Sequence, residues 1–334
     1  VDEETAEEAL ELIAVEYEEL PAVFDPFEAM KPGAPLVHED LASYTCGHPD
    51  RHSQGNVLDR VRYARGDVER ALAQSDLVYR QAYRTPPVHA GITQPHEAVA
   101  ALDASGRLTL WAASQSPFRL RQVLSQTLGL PMSRVRVVCT AVGGSFGARA
   151  TASMEPICCL LAIHTHRPVA LALTREEELQ ATFYREHAYM DLEMGARRDG
   201  TFLAMRGRLV LDTGAHHDLL ATLGNATASL AGPYRIPNFD LEGCAVYTNN
   251  TPRGFVRAPR IPSVMFAVES HMDMVAHKLG IDPIELRLKN AVESGDTFAE
   301  GRVMRNVAFK QTLGLCAAYL KKQPPPGPNQ GWGI

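Results

Sequence analysis

Two periodicities run through the chain. Residues 3–13, 67–73, 118–128, 154–164, 262–279 and 283–290 carry apolar side chains at helical spacing and predict helices. Gly129 and Gly280 stand where the third and fifth of these should stop, because glycine enters a left-handed C-cap at little cost. Segments 14–17, 77–83, 99–102, 108–112, 135–139, 169–173, 191–194 and 202–212 alternate or run apolar over strand lengths. Of these, 135–139 and 169–173 read as buried strands. The turn formers Asp103-Ala104-Ser105-Gly106 and Arg198-Asp199-Gly200 predict hairpins. Residues 32–54, rich in Pro, Gly, His and Asp, and the Pro/Gly-rich 321–331 read as linkers. No repeat and no regular βαβ period is visible. The expected fold class is therefore α+β, a mixed α/β fold rather than a doubly wound sheet.

Composition narrows the class. A chain of 334 residues allows about two domains. A net charge of −6 argues against a nucleic-acid surface. Arg119 and Arg121 are isolated basic residues and read as a solvated face. No apolar run reaches a membrane span of about eighteen residues, and no signal peptide stands at the N-terminus. The cysteines Cys46, Cys139, Cys158, Cys159, Cys244 and Cys316 show no C-x-x-C spacing, which excludes a disulfide framework and an iron–sulfur or zinc pattern. Free thiols in a reducing cytoplasm fit best, with Cys158 and Cys159 buried in an apolar helix.

The densest chemical signal is Gly143-Gly144-Ser145-Phe146-Gly147-Ala148-Arg149, between the strand at 135–139 and a helix expected to begin within 151–154, with Pro156 in its first turn. Three glycines permit positive φ and close approach of a large group, and the helix start offers free N–H groups that suit an anion. The loop matches neither the P-loop nor the dinucleotide fingerprint. Alone, it leaves structural turn and cofactor cradle equally open. Gln115 stands where a strand gives way to a helix that Pro117 can start. Its NH₂ could donate to a bound group without adding charge, or could merely cap the helix. Phe146 could plug a core or stand beside a substrate, and Arg257 could grip an anionic group or form a surface salt bridge. His164-Thr165-His166 and His216-His217-Asp218 read as exposed, so no protein ligand to a metal is expected.

From Asp59 to Asn290 the chain resembles the molybdenum-binding subunit of the xanthine dehydrogenase/aldehyde oxidase family. The resemblance rests on the Gly143–Arg149 motif, on Ala112-Ala113-Ser114-Gln115-Ser116-Pro117-Phe118, on Gly232-Pro233-Tyr234-Arg235-Ile236-Pro237-Asn238 and on Asn249-Asn250-Thr251-Pro252-Arg253-Gly254-Phe255-Val256-Arg257, in family order. It implies a mixed α/β molybdenum-binding domain at 61–322, preceded by the tail of a small α/β hammerhead domain at 1–45 and a linker at 46–60, and followed by a linker at 323–334. The second molybdopterin-binding half, with its catalytic glutamate, would lie elsewhere, making the chain a split subunit or a fragment.

The resemblance further implies molybdopterin, in its cytosine dinucleotide form, cradled by Gln115, Gly143, Gly144, Ser145, Phe146, Gly147 and Arg257, with Gln115, Phe146 and Arg257 as catalytic residues. The pterin dithiolene, not the protein, would hold the metal. Partners would be the second half, an iron–sulfur subunit with [2Fe-2S] clusters, an FAD subunit and a small-molecule substrate; no membrane is implied. The reaction would be hydroxylation of an aldehyde or an electron-poor carbon with oxygen from water. The alternative is a cofactor-free assembly or scaffold piece of such a complex. Departures from the purine-oxidising pattern are Ala150 for a glutamate, Asn225 near the place of an arginine, and Pro259 for an aromatic. Ala258 replaces the cysteine of carbon monoxide dehydrogenases and speaks against a copper–molybdenum site, and Gln94 stands where many members have glutamate.

Overall fold

The computed structural model describes residues 3–43, 53–216 and 222–333. It is an α+β structure with two main sheets, each over its own core. The larger sheet comprises β1 (Val57–Arg65), β2 (Leu77–Thr85), β9 (His187–Ala196), β10 (Phe202–Asp212) and β11 (Asn238–Val246), in spatial order β1-β11-β10-β9-β2. All pairs are antiparallel except β10 and β11, whose connection carries α7 (Leu223–Ala228) back across one face. Central β10 buries Phe202, Ala204, Met205, Leu209, Val210 and Leu211, because layers cover both its faces.

On one of those faces lies α8 (Ile261–Leu279), whose Val264, Ala267, Val268, Met272, Val275 and Ala276 recur at helical spacing and are fully buried. Gly280 ends α8 at φ 70, returning its N–H to the last turn. Then α9 (Pro283–Asn290), capped by Asp282, places Asn290 so that its amide holds the Phe202 N–H and the Gly200 carbonyl, fixing the β9–β10 turn. The remaining helices over this sheet are α3 (Val68–Ala73) and α10 (Phe309–Leu320), which packs on α9. Residues 23–37, with α2 (Pro26–Ala29), cover the opposite face, where the Asn56 side chain bonds the Ala29 and Pro35 carbonyls and the Val37 N–H.

The smaller sheet comprises β4 (Glu97–Leu102), β5 (Leu108–Ala112), β6 (Val135–Cys139) and β7 (Val169–Ala172), in order β6-β5-β4-β7. Helices α4 (Pro117–Thr127) and α5 (Glu155–Thr165) cover one face, through Leu120, Leu124, Cys158, Cys159 and Ala162. Burial pushes the Cys159 thiol up to about 12, as expected of an inert core cysteine. A two-stranded ribbon of β3 (Val88–His89) and β8 (Tyr184–Arg185), with α6 (Arg175–Ala181), lies on the connections between the sheets.

Several expectations are corrected. The segments 135–139 and 169–173 are edge strands, because the hairpin β4–β5 takes the centre, and like the whole sheet they are covered on one face only. Residues 14–17 form no strand: they are exposed, and no neighbouring strand pairs with them among the described residues; only α1 (Glu3–Glu11) is regular there. Strand β1 starts at Val57, inside the stretch assigned to the 46–60 linker, whose residues 46–52, with Cys46, lie outside the described part. No helix among the described residues is long and apolar enough to cross a membrane.

Candidate functional site

Strands β5 and β6 are parallel neighbours, so the loops that follow them leave the same end of the small sheet. This brings Gln115, after β5, against the glycine loop after β6. The Gln115 side-chain oxygen accepts the Ser145 hydroxyl at 2.6 Å and the Gly147 N–H at 3.0 Å. A backbone N–H can only donate, so the amide must turn its oxygen to the loop. Its NH₂ is thereby left facing away, with no hydrogen bond among the described residues.

The loop is strained in the way its glycines permit. Gly144 and Gly147 have φ of 102° and 106°, and Phe146 sits at φ 51° between them. A Cβ on Gly147 would lie 2.5 Å from the Phe255 carbonyl oxygen. The close approach of two backbones therefore requires glycine there. Phe146 is 51% exposed, so it plugs no core. Its carbonyl accepts the Arg257 N–H at 2.6 Å, tying the glycine loop to the segment after β11. Gln94 holds the other end: its N–H reaches the Gly143 carbonyl at 3.1 Å, and its side-chain oxygen takes the Gly143 N–H at 2.7 Å. That is what the glutamine at this position does.

Arg149 is the anchor that reading by sequence passed over, although it closes the motif. It is 1% exposed, and its guanidinium donates to the carbonyls of Gly144, Gln94 and Pro95 at 2.6–3.1 Å. Its own carbonyl accepts the Gln115 N–H at 3.1 Å, so one residue orders both loops. Burial pushes its pKa down, opposed by the carboxylates of Glu178, Glu155 and Glu97, yet a guanidinium remains charged. On the far side Arg185 bonds the Val256 and Arg257 carbonyls, and buried Arg260 pairs with Glu186 at 2.8 Å. These hold the 254–260 turn, where Ala258 and Arg260 adopt positive φ.

Gln115, Phe146, Gly147, Phe255, Arg257, Ala258 and Pro259 line an open cleft of about 420 Å³. The structure thus brings Gln115, Phe146, Gly147 and Arg257 together. Gly143, Gly144 and Ser145 form the loop behind them and do not line the cleft. Phe255 is a lining residue that the sequence reading left without a role; the Arg119 guanidinium lies 5.7 Å from its ring centre. Arg119 and Arg121 are accordingly not a plain solvated face, since Arg121 also bonds the Met132 and Val135 carbonyls and ties α4 to β6.

Other expectations shift. Helix α5 begins at Glu155, eight residues past Gly147, and is no anion site: buried Glu155 takes the Ser153 N–H, and Pro156 has none to offer. Ala150 is buried and Asn225 lies on α7, neither lining the cleft. His164 and His166 are exposed at the end of α5, while His216 faces His38; His217 and Asp218 lie outside the described residues. No group of three His, Cys, Asp or Glu among the described residues could hold a metal ion.

Residues 48–291 match the family described as molybdopterin cofactor-binding domain. The chain is 34% identical over 300 residues to the xanthine dehydrogenase molybdenum-binding subunit of Escherichia coli O157:H7, covering 88% of this chain and 38% of that protein. It is 33% identical over 309 residues to the nicotinate dehydrogenase large molybdopterin subunit of Eubacterium barkeri, covering 92% of this chain and 69% of that subunit. Quinoline 2-oxidoreductase from Pseudomonas putida 86 superposes with a TM-score of 0.85 at 28% identity, over 96% of this chain and 40% of that one. The chain belongs to the molybdopterin cofactor-binding family of molybdenum-dependent dehydrogenases and oxidoreductases, and spans less than two fifths of the xanthine dehydrogenase subunit and about two thirds of the nicotinate dehydrogenase subunit.

Proposed function

We propose that this chain forms one wall of the molybdopterin site of a molybdenum hydroxylase, which oxidises an aldehyde, an electron-poor ring carbon or an acyl-thioester with oxygen from water. The single observation that carries the reading is the Gln115 amide: its oxygen is committed to Ser145 and Gly147, which aims an unpaired, uncharged donor at the cleft. The residues fit the cofactor in kind, since a neutral NH₂ suits a metal oxo group. The pterin-held metal would supply the two-electron redox chemistry; we assign it the cytosine dinucleotide form, with [2Fe-2S] clusters and FAD on partner subunits. The second molybdopterin-binding half, with a glutamate base, would form the other wall. In the net reaction the substrate carbon would exchange its hydrogen for a water-derived hydroxyl, and two electrons and two protons would leave.

The work of this chain is orientation. Gln115 donates to developing negative charge at oxygen from a fixed position, the kind of preorganised dipole that lowers a barrier most. Phe146 and Phe255 present rings to a flat substrate, and Arg257 offers a fork to an anionic group. The wall contributes no carboxylate to the cleft among the described residues, which favours substrates other than hypoxanthine or xanthine. The described cysteines are all free thiols, which supports a cytoplasmic setting.

Molybdenum and pterin analysis of the complete enzyme, with Gln115→Ala beside it, tests the reading. Full molybdenum occupancy with turnover lowered about a hundred-fold is expected. Absence of metal and pterin from the wild-type complex would instead establish the scaffold reading.

A further inference from the structure

Glu178 and His96 are both 0% exposed, and neither lines the cleft. The Glu178 carboxylate, on α6, accepts the His96 backbone N–H at 2.8 Å and meets the ring Nδ1 at 2.9 Å. His96 ends a strap, residues 92–96, whose preceding four carbonyls are all taken by guanidinium groups. Arg175, in the first turn of α6, donates to the Ile92 and Thr93 carbonyls at 2.8 and 2.6 Å. Arg149 donates to those of Gln94 and Pro95 at 2.6 and 2.9 Å. From the middle of the strap Gln94 clasps both backbone groups of Gly143.

Such a buried charged assembly stabilises a fold less than apolar packing of equal volume, because its ions must be stripped of water. What it supplies is direction: each donor accepts only one placement of its carbonyl. Burial raises the Glu178 pKa, but the two His96 contacts and Arg149 outweigh it and hold the carboxyl below the ordinary range, so an anion faces the buried Arg149 cation. The chain of contacts runs from α6 through the strap to Gly143 and Arg149, and from there to both loops that carry Gln115 and Phe146.

We propose that Glu178 is a positioning residue: acting through the 92–96 strap and Arg149, it sets the glycine turn and so the direction in which Gln115 and Phe146 face the cleft. The proposal rests on the cleft being the cofactor wall. It is tested in the complete enzyme with Glu178→Gln, which loses the charge, and with Arg175→Gln, which alters an exposed residue and removes two strap contacts without emptying the core. Gln115→Ala serves as the reference for the cleft.

Hydrogen exchange of the 143–149 peptide, followed by mass spectrometry, reads the coupling without relying on activity. Exchange there should rise in both variants. Turnover per bound molybdenum should fall about tenfold in Glu178→Gln and several-fold in Arg175→Gln, with KM within about twofold, as a misplaced catalytic group affects rate more than binding. Unchanged exchange in both variants overturns the proposal. So does unchanged turnover per molybdenum where Gln115→Ala lowers it, which leaves Glu178 a merely structural residue. Silence of Gln115→Ala as well removes the cofactor-wall reading, and the proposal falls with it.

Discussion

Gly147→Ala, set against Gly280→Ala, isolates the backbone contact that builds the cleft. Both glycines have positive φ, 106° and 70°. A side chain at either pays a conformational cost of about 1–2 kcal/mol. Around Gly280 nothing lies within 4 Å of a new Cβ, so that cost is the whole effect. At Gly147 the Cβ would meet the Phe255 carbonyl oxygen at 2.5 Å, its carbon at 2.7 Å and its Cβ at 2.9 Å. Two of these are backbone atoms of a turn held by Arg185 and Arg260, so relief requires the loops to separate, at about a further 1–3 kcal/mol. The Gly147 N–H would move with them, loosening its 3.0 Å bond to Gln115. Urea unfolding of the complete enzyme should therefore show Gly147→Ala less stable than Gly280→Ala by about 1–3 kcal/mol, with turnover reduced about tenfold in the first and unchanged in the second. Equal stability losses in the two variants would refute the seating of the glycine loop on Phe255.

Arg149→Met should leave the Gly144, Gln94 and Pro95 carbonyls without their donor and cost about 3 kcal/mol or more, seen as a lower urea midpoint together with reduced molybdenum content. Phe255→Ala should raise KM for an aromatic substrate about tenfold at unchanged molybdenum content, whereas an unchanged KM would remove Phe255 from the substrate wall. Acid should destabilise the fold through histidines that burial disfavours in the charged form: His89 and His187 are shifted down, and His271 is pushed down to about 4. Their folded pKa values lie below the unfolded 6.5, so the unfolded chain takes up protons first. Stability is full above about pH 6.5 and falls toward about pH 4, by up to about 3 kcal/mol for His271 alone. His271→Phe should flatten that fall in urea midpoints measured from pH 7 to 5.

What was legible in the sequence is what short-range patterning controls. The helices at α8 and α9 and the hairpins β4–β5 and β9–β10 emerged from periodicity and turn residues alone. Strands β1 and β11 did not, because β11 pairs parallel to β10 across a long connection and β1 pairs with β11 from far away in sequence. The edge character of β6 and β7 depends on which strands take the centre, a tertiary fact that apolar runs do not encode. Helix α6 carried a readable signal that went unused: Thr174 and Glu177 form a capping box at its start. Recognising that helix would have placed Arg175 and Glu178 one turn apart, behind the site.

The site itself divides along the same line. Gln115, Phe146, Gly147 and Arg257 meet in the cleft because the two loops carrying three of them follow parallel strands, and because the Phe146 carbonyl binds the Arg257 amide. The positions compared with the purine-oxidising pattern lie differently, since Ala150 and Pro259 follow from adjacency to a motif and Asn225 from spacing, along loops whose path the sequence does not fix. Of the three departures from the purine pattern, only Pro259 lines the cleft; Ala150 is buried behind the glycine loop and Asn225 rides on α7. Nor is the wall short of aromatic surface, because Phe255 and Phe146 both face it. On the proposed reading a purine, rich in donors and acceptors, meets one side-chain amide and one guanidinium from this wall, and each buried polar group that neither wall pairs costs about 1–3 kcal/mol. An aldehyde or a sparsely substituted heterocycle carries fewer such groups and loses less on entering.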